Sequence, residues 1–260
     1  MTDVSIGWVG LAASLLLVAV TVGVSRGRRL GLEQDLLVAS ARAIGQLLLA
    51  GWALTLLLAD DVQIAWAWLW VATMVPVAAW SARRREPRLP GIMVTTTVGY
   101  TLGLGASLAV VFGFDVLPYE ARVLVPVSGM VVGNSLKVVV VAATRLVDGF
   151  RDRAGEVEAL LALGFDRRRA SRDVTAEALR LAIRPQVEIT RSVGMVFLPG
   201  ALTGMILAGV DPLDAALVQA AILFLILGSA AITGLVVVLE GARRFLTADQ
   251  RLVLPDQPAD

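Results

Sequence analysis

The residues of this sequence that could do chemistry are polar side chains inside long apolar runs. Polar groups are costly in hydrocarbon, so those within a membrane segment are candidates for binding or conducting a solute. The candidates for a transport path are Arg42, Gln46, Asn134, Ser135, Lys137, Glu188, Thr203 and Gln219. Their amide, hydroxyl and charged groups are suited to passing an ion or a polar solute.

Each of these side chains also has a structural interpretation. The charged ends of Arg42 and Lys137 could reach the lipid headgroups while the apolar parts of these side chains stay in the membrane. The amide side chains could form hydrogen bonds between helices, worth about 0.6 kcal/mol each. The Thr203 hydroxyl could bond to a carbonyl of its own helix. Both roles stay open on the sequence.

Several kinds of site are excluded or disfavoured by residue content. The chain has no Cys and no His, so it has no disulfide, thiolate nucleophile, imidazole base or zinc site of the usual type. The acidic residues do not pair within any apolar run, so we expect no enzyme and identify no metal ligands. The only lysine, Lys137, follows Leu136, so no phosphate-binding G-x-x-x-x-G-K-[ST] loop exists and a bound nucleotide would belong to another chain.

Composition identifies the solvent around most of the chain as lipid. Of the 260 residues 57% are hydrophobic and only 17% are charged, whereas soluble domains have about 25% charged residues. Apolar runs of the length needed to cross a bilayer predict an all-α integral membrane protein, a single polytopic domain over residues 1–260. Seven spans are predicted, at about 5–24, 36–59, 62–80, 91–113, 118–143, 188–209 and 214–239.

Basic residues alternate between the two sides of these spans. The segments 25–35, 81–90, 145–191 and 240–260 carry 3, 4, 10 and 3 of the 23 basic residues. By the positive-inside rule these segments are cytoplasmic, with the N-terminus outside and the C-terminus in the cytoplasm. The first span has its basic cluster after the apolar run, the wrong order for a cleaved signal peptide, so we expect it to stay.

The charged segment of about 145–187 lies between the fifth and sixth spans. Its apolar positions recur at helical spacing in two stripes, which predict two amphipathic helices joined at 164–168. Gly164 suits a helix C-cap or a tight turn, and Pro185 is predicted to mark the return into the membrane. A solvated loop that only fixes orientation by its arginines is the alternative.

Glycines and prolines in the later spans predict close packing and bends. Three G-x-x-x-G patterns, which let helices approach closely, start at Gly99, Gly129 and Gly200. Prolines should kink the fifth and sixth spans, which we expect to form the wall of a pathway. In these two spans the residues concerned are Pro126, Gly129, Gly133, Pro199, Gly200 and Gly204.

The charged segment also contains a coupling motif. Glu158-Ala159 followed by Gly164 resembles the E-A-A-x-x-x-G loop of ABC-transporter permeases, with Leu160 at the third position. That loop is a short helix that docks in a groove of the ATPase. The resemblance assigns ATPase coupling to Glu158, Ala159, Leu161 and Gly164.

Nearly the whole chain resembles a family of bacterial ABC permeases linked to iron export, with plant relatives tied to aluminium tolerance. The matching stretches are ARAIGQLLLAG (41–51), PVSGMVVGNS (126–135), EALLALG (158–164) and LPGALTGMILAGVDPLDA (198–215). The resemblance implies a half-size permease of the bacterial inner membrane that forms a homodimer with two ATPase chains. ATP and magnesium would bind the ATPase, no cofactor would bind this chain, and nucleic acid is not a partner.

The substrate and the transport class have alternatives. Lys137 would repel a metal cation unless it pairs with a carboxylate such as Glu188 or lies at the headgroups, so an exporter of another solute, such as a nucleotide sugar, is the second hypothesis. An ion-coupled secondary transporter is the third, although such proteins tend to show inverted repeats and acidic residues at the bilayer midplane. No repeat is visible in this sequence.

Overall fold

A computed structural model describes residues 8–59, 63–247 and 249–254, and this part of the chain is helical almost throughout. Its helices are α1 (Trp8–Arg28), α2 (Glu33–Leu57), α3 (Ile64–Arg85), α4 (Ile92–Gly113), α5 (Ala121–Asp152), α6 (Ala154–Ala162), α7 (Arg167–Ser192), α8 (Gly200–Leu207) and α9 (Pro212–Phe245). Six of them, α1 to α5 and α9, are long and apolar enough to cross a membrane. The protein is therefore an all-α, multi-pass membrane protein, as predicted.

The first of two compact units, Met1–Val62, holds α1 and α2. α1 lies within an apolar run, whereas α2 begins with polar residues, Glu33 to Asp35, ahead of its apolar run. The turn between the two helices is closed by Ser25. Its hydroxyl donates to the Glu33 carboxylate at 2.7 Å and accepts from the Leu32 amide at 3.2 Å. Almost no side chain of α1 and α2 is buried within the unit, so their apolar surfaces are available to lipid or to protein.

The second unit, Gln63–Asp260, is organised around α9, which packs against α4, α5 and α7. Contacts along α5 and α9 advance in the same direction. The hydroxyls of Ser135 and Ser229 lie 3.4 Å apart, and the rings of Phe150 and Phe245 stack with centroids 4.8 Å apart. The two longest helices therefore run parallel, and the chain between them must return through α6, α7 and α8.

The α4–α9 interface depends on the first glycine pair. A Cβ on Gly99 would lie 3.2 Å from the Thr233 carbonyl oxygen, and one on Gly103 would lie 2.8 Å from the Ser229 carbonyl oxygen. The Thr233 hydroxyl donates to the Gly99 carbonyl at 3.2 Å. Small residues thus bring the two backbones into contact, as the G-x-x-x-G pattern predicts.

The predicted sixth span, about 188–209, is wrong as a single helix. A non-helical segment, residues 193–199, separates α7 from α8. Gly194 has a φ of +89°, and Pro199 immediately precedes α8, where its missing N–H and fixed φ break the helix. The predicted count of seven continuous spans is not confirmed.

Two boundaries around the charged segment also differ from the prediction. Pro185 lies inside α7 and does not end it, because Ala182 and Gln186 on either side are buried and tertiary packing holds the helix. The helix of the fifth span continues beyond the predicted end of that span near residue 143, to Asp152, so the start of the charged segment belongs to α5. Its last turns pack inward at residues such as Leu146 and Phe150.

Candidate functional site

The candidate site is built on α6 and the turn that follows it. The Phe165 amide donates to the Leu160 carbonyl at 3.1 Å, and the Gly164 amide donates to the Leu161 carbonyl at 3.0 Å. This is a Schellman C-cap, and it needs a residue with positive φ, which Gly164 provides at +84°. The glycine of the coupling motif therefore fixes where α6 ends.

The outer surface of this turn combines apolar and charged groups. Glu158 and Ala159 are exposed, Leu163 is 76% exposed and Phe165 is 43% exposed. Leu161 is buried on the side of α6 that also carries Val157. Two large apolar side chains beside an acidic one form a protrusion that a protein groove can receive. We name residues 158–165 the coupling turn; the sequence interpretation missed the contribution of Leu163 and Phe165.

The coupling turn is held between two long helices. Arg153, directly before α6, donates to the Glu177 carboxylate of α7 at 2.6 Å. Val157 and Leu161 anchor α6 to the bundle, and the Asp166 carboxylate caps α7 by accepting from the Arg169 amide at 2.7 Å. The helix of the coupling turn, α6, is therefore in contact with α7 and follows directly from the end of α5.

A second polar group at the end of α5 was not predicted. Glu86, in the loop between α3 and α4, is only 2% exposed. It accepts two hydrogen bonds from Arg88, both at 2.7 Å, and one from the Thr144 hydroxyl at 2.7 Å. Arg88 also pairs with Asp148 at 3.0 Å. We call these four residues the Glu86 cluster.

The electrostatics of the Glu86 cluster favour the charged forms. Burial alone would raise the pKa of Glu86, but the hydrogen bonds from Arg88 and Thr144 outweigh burial, so the pKa lies below its ordinary value. The bonds to Glu86 raise the pKa of the Arg88 guanidinium. One signal pointed to this cluster, since Glu86 is the single acidic residue of the segment 81–90.

The chain after α9 folds back toward the coupling turn. The Val253 amide donates to the Phe245 carbonyl at 2.8 Å, which reverses the chain direction. A cavity of about 460 Å³ then lies between α6 and this segment, with Glu158 and Leu161 on one side and Arg251 on the other. This contact between the C-terminal segment and α6 was not predicted from the sequence.

The transport-path candidates of α2 are both exposed. Arg42 and Gln46 lie one turn apart on the same helix face, and neither is buried within the first unit. No hydrogen bond or ion pair holds either side chain among the described residues. Their predicted role is not tested by this arrangement and stays a prediction.

The candidates of α5 divide between the interior and the surface. Ser135 is fully buried and its hydroxyl bonds to the Val131 carbonyl at 2.8 Å. The Asn134 amide donates to the Met130 carbonyl at 2.8 Å, and Lys137 is exposed. The structure brings Ser135 to α9 and leaves Lys137 on an open face.

The later candidates also occupy different surroundings. Glu188 is exposed and pairs with Arg191 at 3.2 Å, so it is not the partner of Lys137. The exposed Thr203 hydroxyl lies 3.4 Å from the Pro199 carbonyl of its own helix. Gln219 is 4% exposed, and its Oε1 has no hydrogen-bond partner in the described residues.

The predicted bend and packing residues differ in their neighbours. Pro126 lies inside α5, whereas Pro199 only precedes α8 and cannot kink a continuous sixth span. A Cβ on Gly129 would touch Met74 at 3.8 Å. Gly133, Gly200 and Gly204 have no described atom close to that position, so within this chain they mediate no close contact.

A buried polar seam runs through the α4–α5–α9 core, which the sequence identified only at Ser135 and Gln219. Tyr100 and Ser128 are almost completely buried, and their hydroxyls, like Gln219 Oε1, have no hydrogen-bond partner in the described part of the chain. Partnerless polar groups are expensive in an apolar interior, so this seam is suited to water or a polar solute. Among the described residues no group of three acidic side chains is arranged to hold a metal ion.

Comparison with known proteins places this arrangement in a family. The family described as "Uncharacterised protein family (UPF0014)" matches residues 8–246. The chain is 32% identical to the UPF0014 membrane protein STAR2 of Oryza sativa subsp. japonica over 88% of this chain and 80% of that protein. It is 29% identical to the probable iron export permease protein FetB of Escherichia coli, over 94% of both chains.

A further relative is the protein ALUMINUM SENSITIVE 3 of Arabidopsis thaliana, 29% identical over 88% of this chain and 84% of that protein. No solved structure matches the chain. The match of one family over both compact units agrees with the resemblance drawn from the sequence. The chain is a member of the UPF0014 family of membrane proteins.

Proposed function

We propose that this chain is the membrane permease subunit of an ABC transporter that exports iron or another metal ion. A separate ATPase chain, which holds the ATP and magnesium, would energise it. The observation that carries the proposal is the coupling turn, an exposed apolar protrusion with an acidic rim, anchored between two long helices. The similarity to a probable iron export permease supports the choice of substrate.

The coupling step follows from the rigidity of the turn. The Schellman cap fixes the shape of the turn, α6 follows α5 after a single residue, and the buried Val157 and Leu161 hold α6 against the bundle. Closure of an ATPase groove around Leu163 and Phe165 would move both helices together. Such rigid-body shifts of packed helices are a common means of switching a pathway between two states.

The non-helical segment supports assembly as a homodimer. Met195 and Val196 are 88% and 87% exposed, although their sequence is apolar. Irregular backbone at membrane depth is tolerated only where protein covers it or where it lines a water-filled cavity. A second copy covering residues 193–199 would meet this requirement, and the open faces of Gly133 and Gly200 would then allow close approach between the copies.

The predicted pathway groups keep their role under this proposal. The buried seam with Ser135 and Gln219 offers oxygen atoms, which suit a hard or borderline metal ion. Lys137 would lie at the headgroups, where its charge does not oppose a cation. We place the protein in the bacterial inner membrane with the C-terminus in the cytoplasm, on the basis of its basic segments, and assign it no catalysis of its own.

The experiment that tests the proposal measures ATP hydrolysis by the permease co-expressed with a candidate ATPase, in lipid discs, with and without ferrous iron. Stimulation by iron that disappears in Glu158→Arg would support both the coupling role and the metal. Activity that depends on Glu158 but ignores iron would favour the second hypothesis, an exporter of another solute.

Two substitutions of Gly164 separate the effect of side-chain bulk from the effect of backbone strain. Gly164→Trp adds a large side chain and should abolish ATPase binding, measured by co-purification, while membrane insertion is retained. Gly164→Ala adds the same backbone strain without the bulk and should bind more of the ATPase than the tryptophan variant. Normal ATPase binding by both Glu158→Arg and Gly164→Trp would reject the coupling role.

A further inference from the structure

A basic cavity lies away from the coupling turn and from the buried seam. It has a volume of about 610 Å³ and separates the first turns of α7 from the last turns of α9. Four arginines line it, and none of its described lining residues is acidic: the arginines are Arg167, Arg168, Arg172 and Arg243. A cavity with this charge attracts an anion.

Two of the four guanidinium groups are already engaged. Arg167 donates to the Thr247 carbonyl at 3.5 Å, and Arg243 pairs with Glu240 on its own helix. Arg168 and Arg172 have neither an ion pair nor a hydrogen bond from their side chains among the described residues. They lie four residues apart on α7, so both can reach one ligand.

The remaining lining shows what kind of anion fits. Leu239, Ala242 and Leu246 form an apolar wall along α9, and Leu239 is 47% exposed one turn before Arg243. A ligand that fills this space is anionic at one end and apolar at the other.

We propose that this cavity binds the phosphate of an anionic phospholipid, with an acyl chain against Leu239. The cavity is at the arginine-rich end of α9, a helix long and apolar enough to cross a membrane, and the positive-inside rule assigns such an end to the cytoplasmic headgroups. Basic pockets between membrane helices bind anionic headgroups by such contacts. Arg168 and Arg172 hold the phosphate oxygens through charge-assisted hydrogen bonds.

Native mass spectrometry of the full-length protein in a zwitterionic detergent tests this assignment. The protein is titrated with phosphatidylglycerol and, separately, with phosphatidylcholine of the same acyl chains. We expect selective binding of phosphatidylglycerol, weakened roughly thirtyfold in Arg168→Gln/Arg172→Gln because two basic contacts are lost. The single variant Arg172→Gln should show a smaller loss and serves if the double variant does not fold.

Arg169→Gln is the matched control, because it removes the same charge from the same helix turn but from a residue outside the cavity lining. It should bind phosphatidylglycerol as the unmodified protein does. The proposed site is wrong if the protein binds the two lipids equally well. It is also wrong if Arg169→Gln loses as much affinity for phosphatidylglycerol as the cavity variants do. If an equal concentration of inorganic phosphate displaces the lipid, the cavity is a site for a free anion and not for a lipid headgroup.

Discussion

Two charged segments adjoin the last turns of α5, and the protein uses them in opposite ways. In the loop between α3 and α4, Glu86 is buried to 2% exposure and surrounded by donors. In the coupling turn, Glu158 is exposed beside exposed leucine and phenylalanine side chains. Both are acidic residues within charged, non-spanning sequence, yet one is internal structure and the other is free surface.

This difference shows that the partners of a carboxylate, and not the charge of the surrounding sequence, determine its role. Glu86 is next in sequence to a rigid proline and accepts hydrogen bonds from Arg88 and Thr144, so its carboxylate is satisfied inside the bundle. Glu158 faces outward from a helix of nine residues that has only one buried face. A buried and paired carboxylate is expected to stabilise the fold, whereas an exposed one is available for a partner.

The largest effect should come from Glu86→Gln. The substitution removes the negative charge that pairs with Arg88, but Arg88 is 27% exposed and keeps Asp148 as a partner, so the expected cost is about 2 kcal/mol, that of a hydrogen bond to a charged group. The free energy of unfolding, measured by denaturant titration in detergent, reports the loss. Glu158→Gln is the matched control and should stay within about 0.5 kcal/mol of the unmodified protein. If the two variants are equally stable, the proposed difference between the buried Glu86 and the exposed Glu158 is wrong.

A pH titration of stability should single out the same carboxylate. Because the pKa of Glu86 is lowered in the folded protein, its contribution is fully present above the ordinary value of 4.5 and is lost as the pH falls through the lowered value. Thermal unfolding between neutral and acidic pH should therefore show the gap between the unmodified protein and Glu86→Gln narrowing at the acidic end. If the difference in stability between the two proteins instead widens as the pH falls, the pKa of Glu86 is not lowered in the folded protein.

The smallest effect is expected at the pair that anchors the coupling turn. Arg153 and Glu177 are 38% and 50% exposed, and exposed pairs contribute about 0.5 kcal/mol. A double-mutant cycle with Arg153→Gln and Glu177→Gln measures this coupling in the free energy of unfolding. A coupling energy of about 3 kcal/mol would show that this pair stabilises the fold as strongly as a buried ion pair does.

The membrane helices could be predicted because their signal is local. Apolar runs gave α1 to α4 and α9 to within a few residues, and the glycine pair Gly99 and Gly103 correctly predicted a close helix contact. The two amphipathic helices of the charged segment followed from apolar spacing, and Gly164 was correctly expected at a turn.

The remainder depended on contacts that the sequence does not display. Pro185 is a local helix breaker, but burial on both sides keeps α7 continuous. The break at 193–199 has local causes, Gly194 and Pro199, but an apolar run with one proline also fits a kinked continuous span. Glu86 is recognisable as part of a cluster only once Thr144, 58 residues later, is known to lie beside it. Long-range contacts explain the errors at Pro185 and Glu86.

The spacing within the Glu86 cluster has a consequence for synthesis. Asp148 follows Arg88 by 60 residues, so at a translation rate of about 5–20 residues per second Arg88 is made roughly 3–12 s before its second partner. While α3 and α4 are being made, Arg88 therefore has its neighbour Glu86 as a partner but not yet Asp148. The nascent chain presents its orienting arginines before the α5 carboxylate that pairs with one of them has been synthesised.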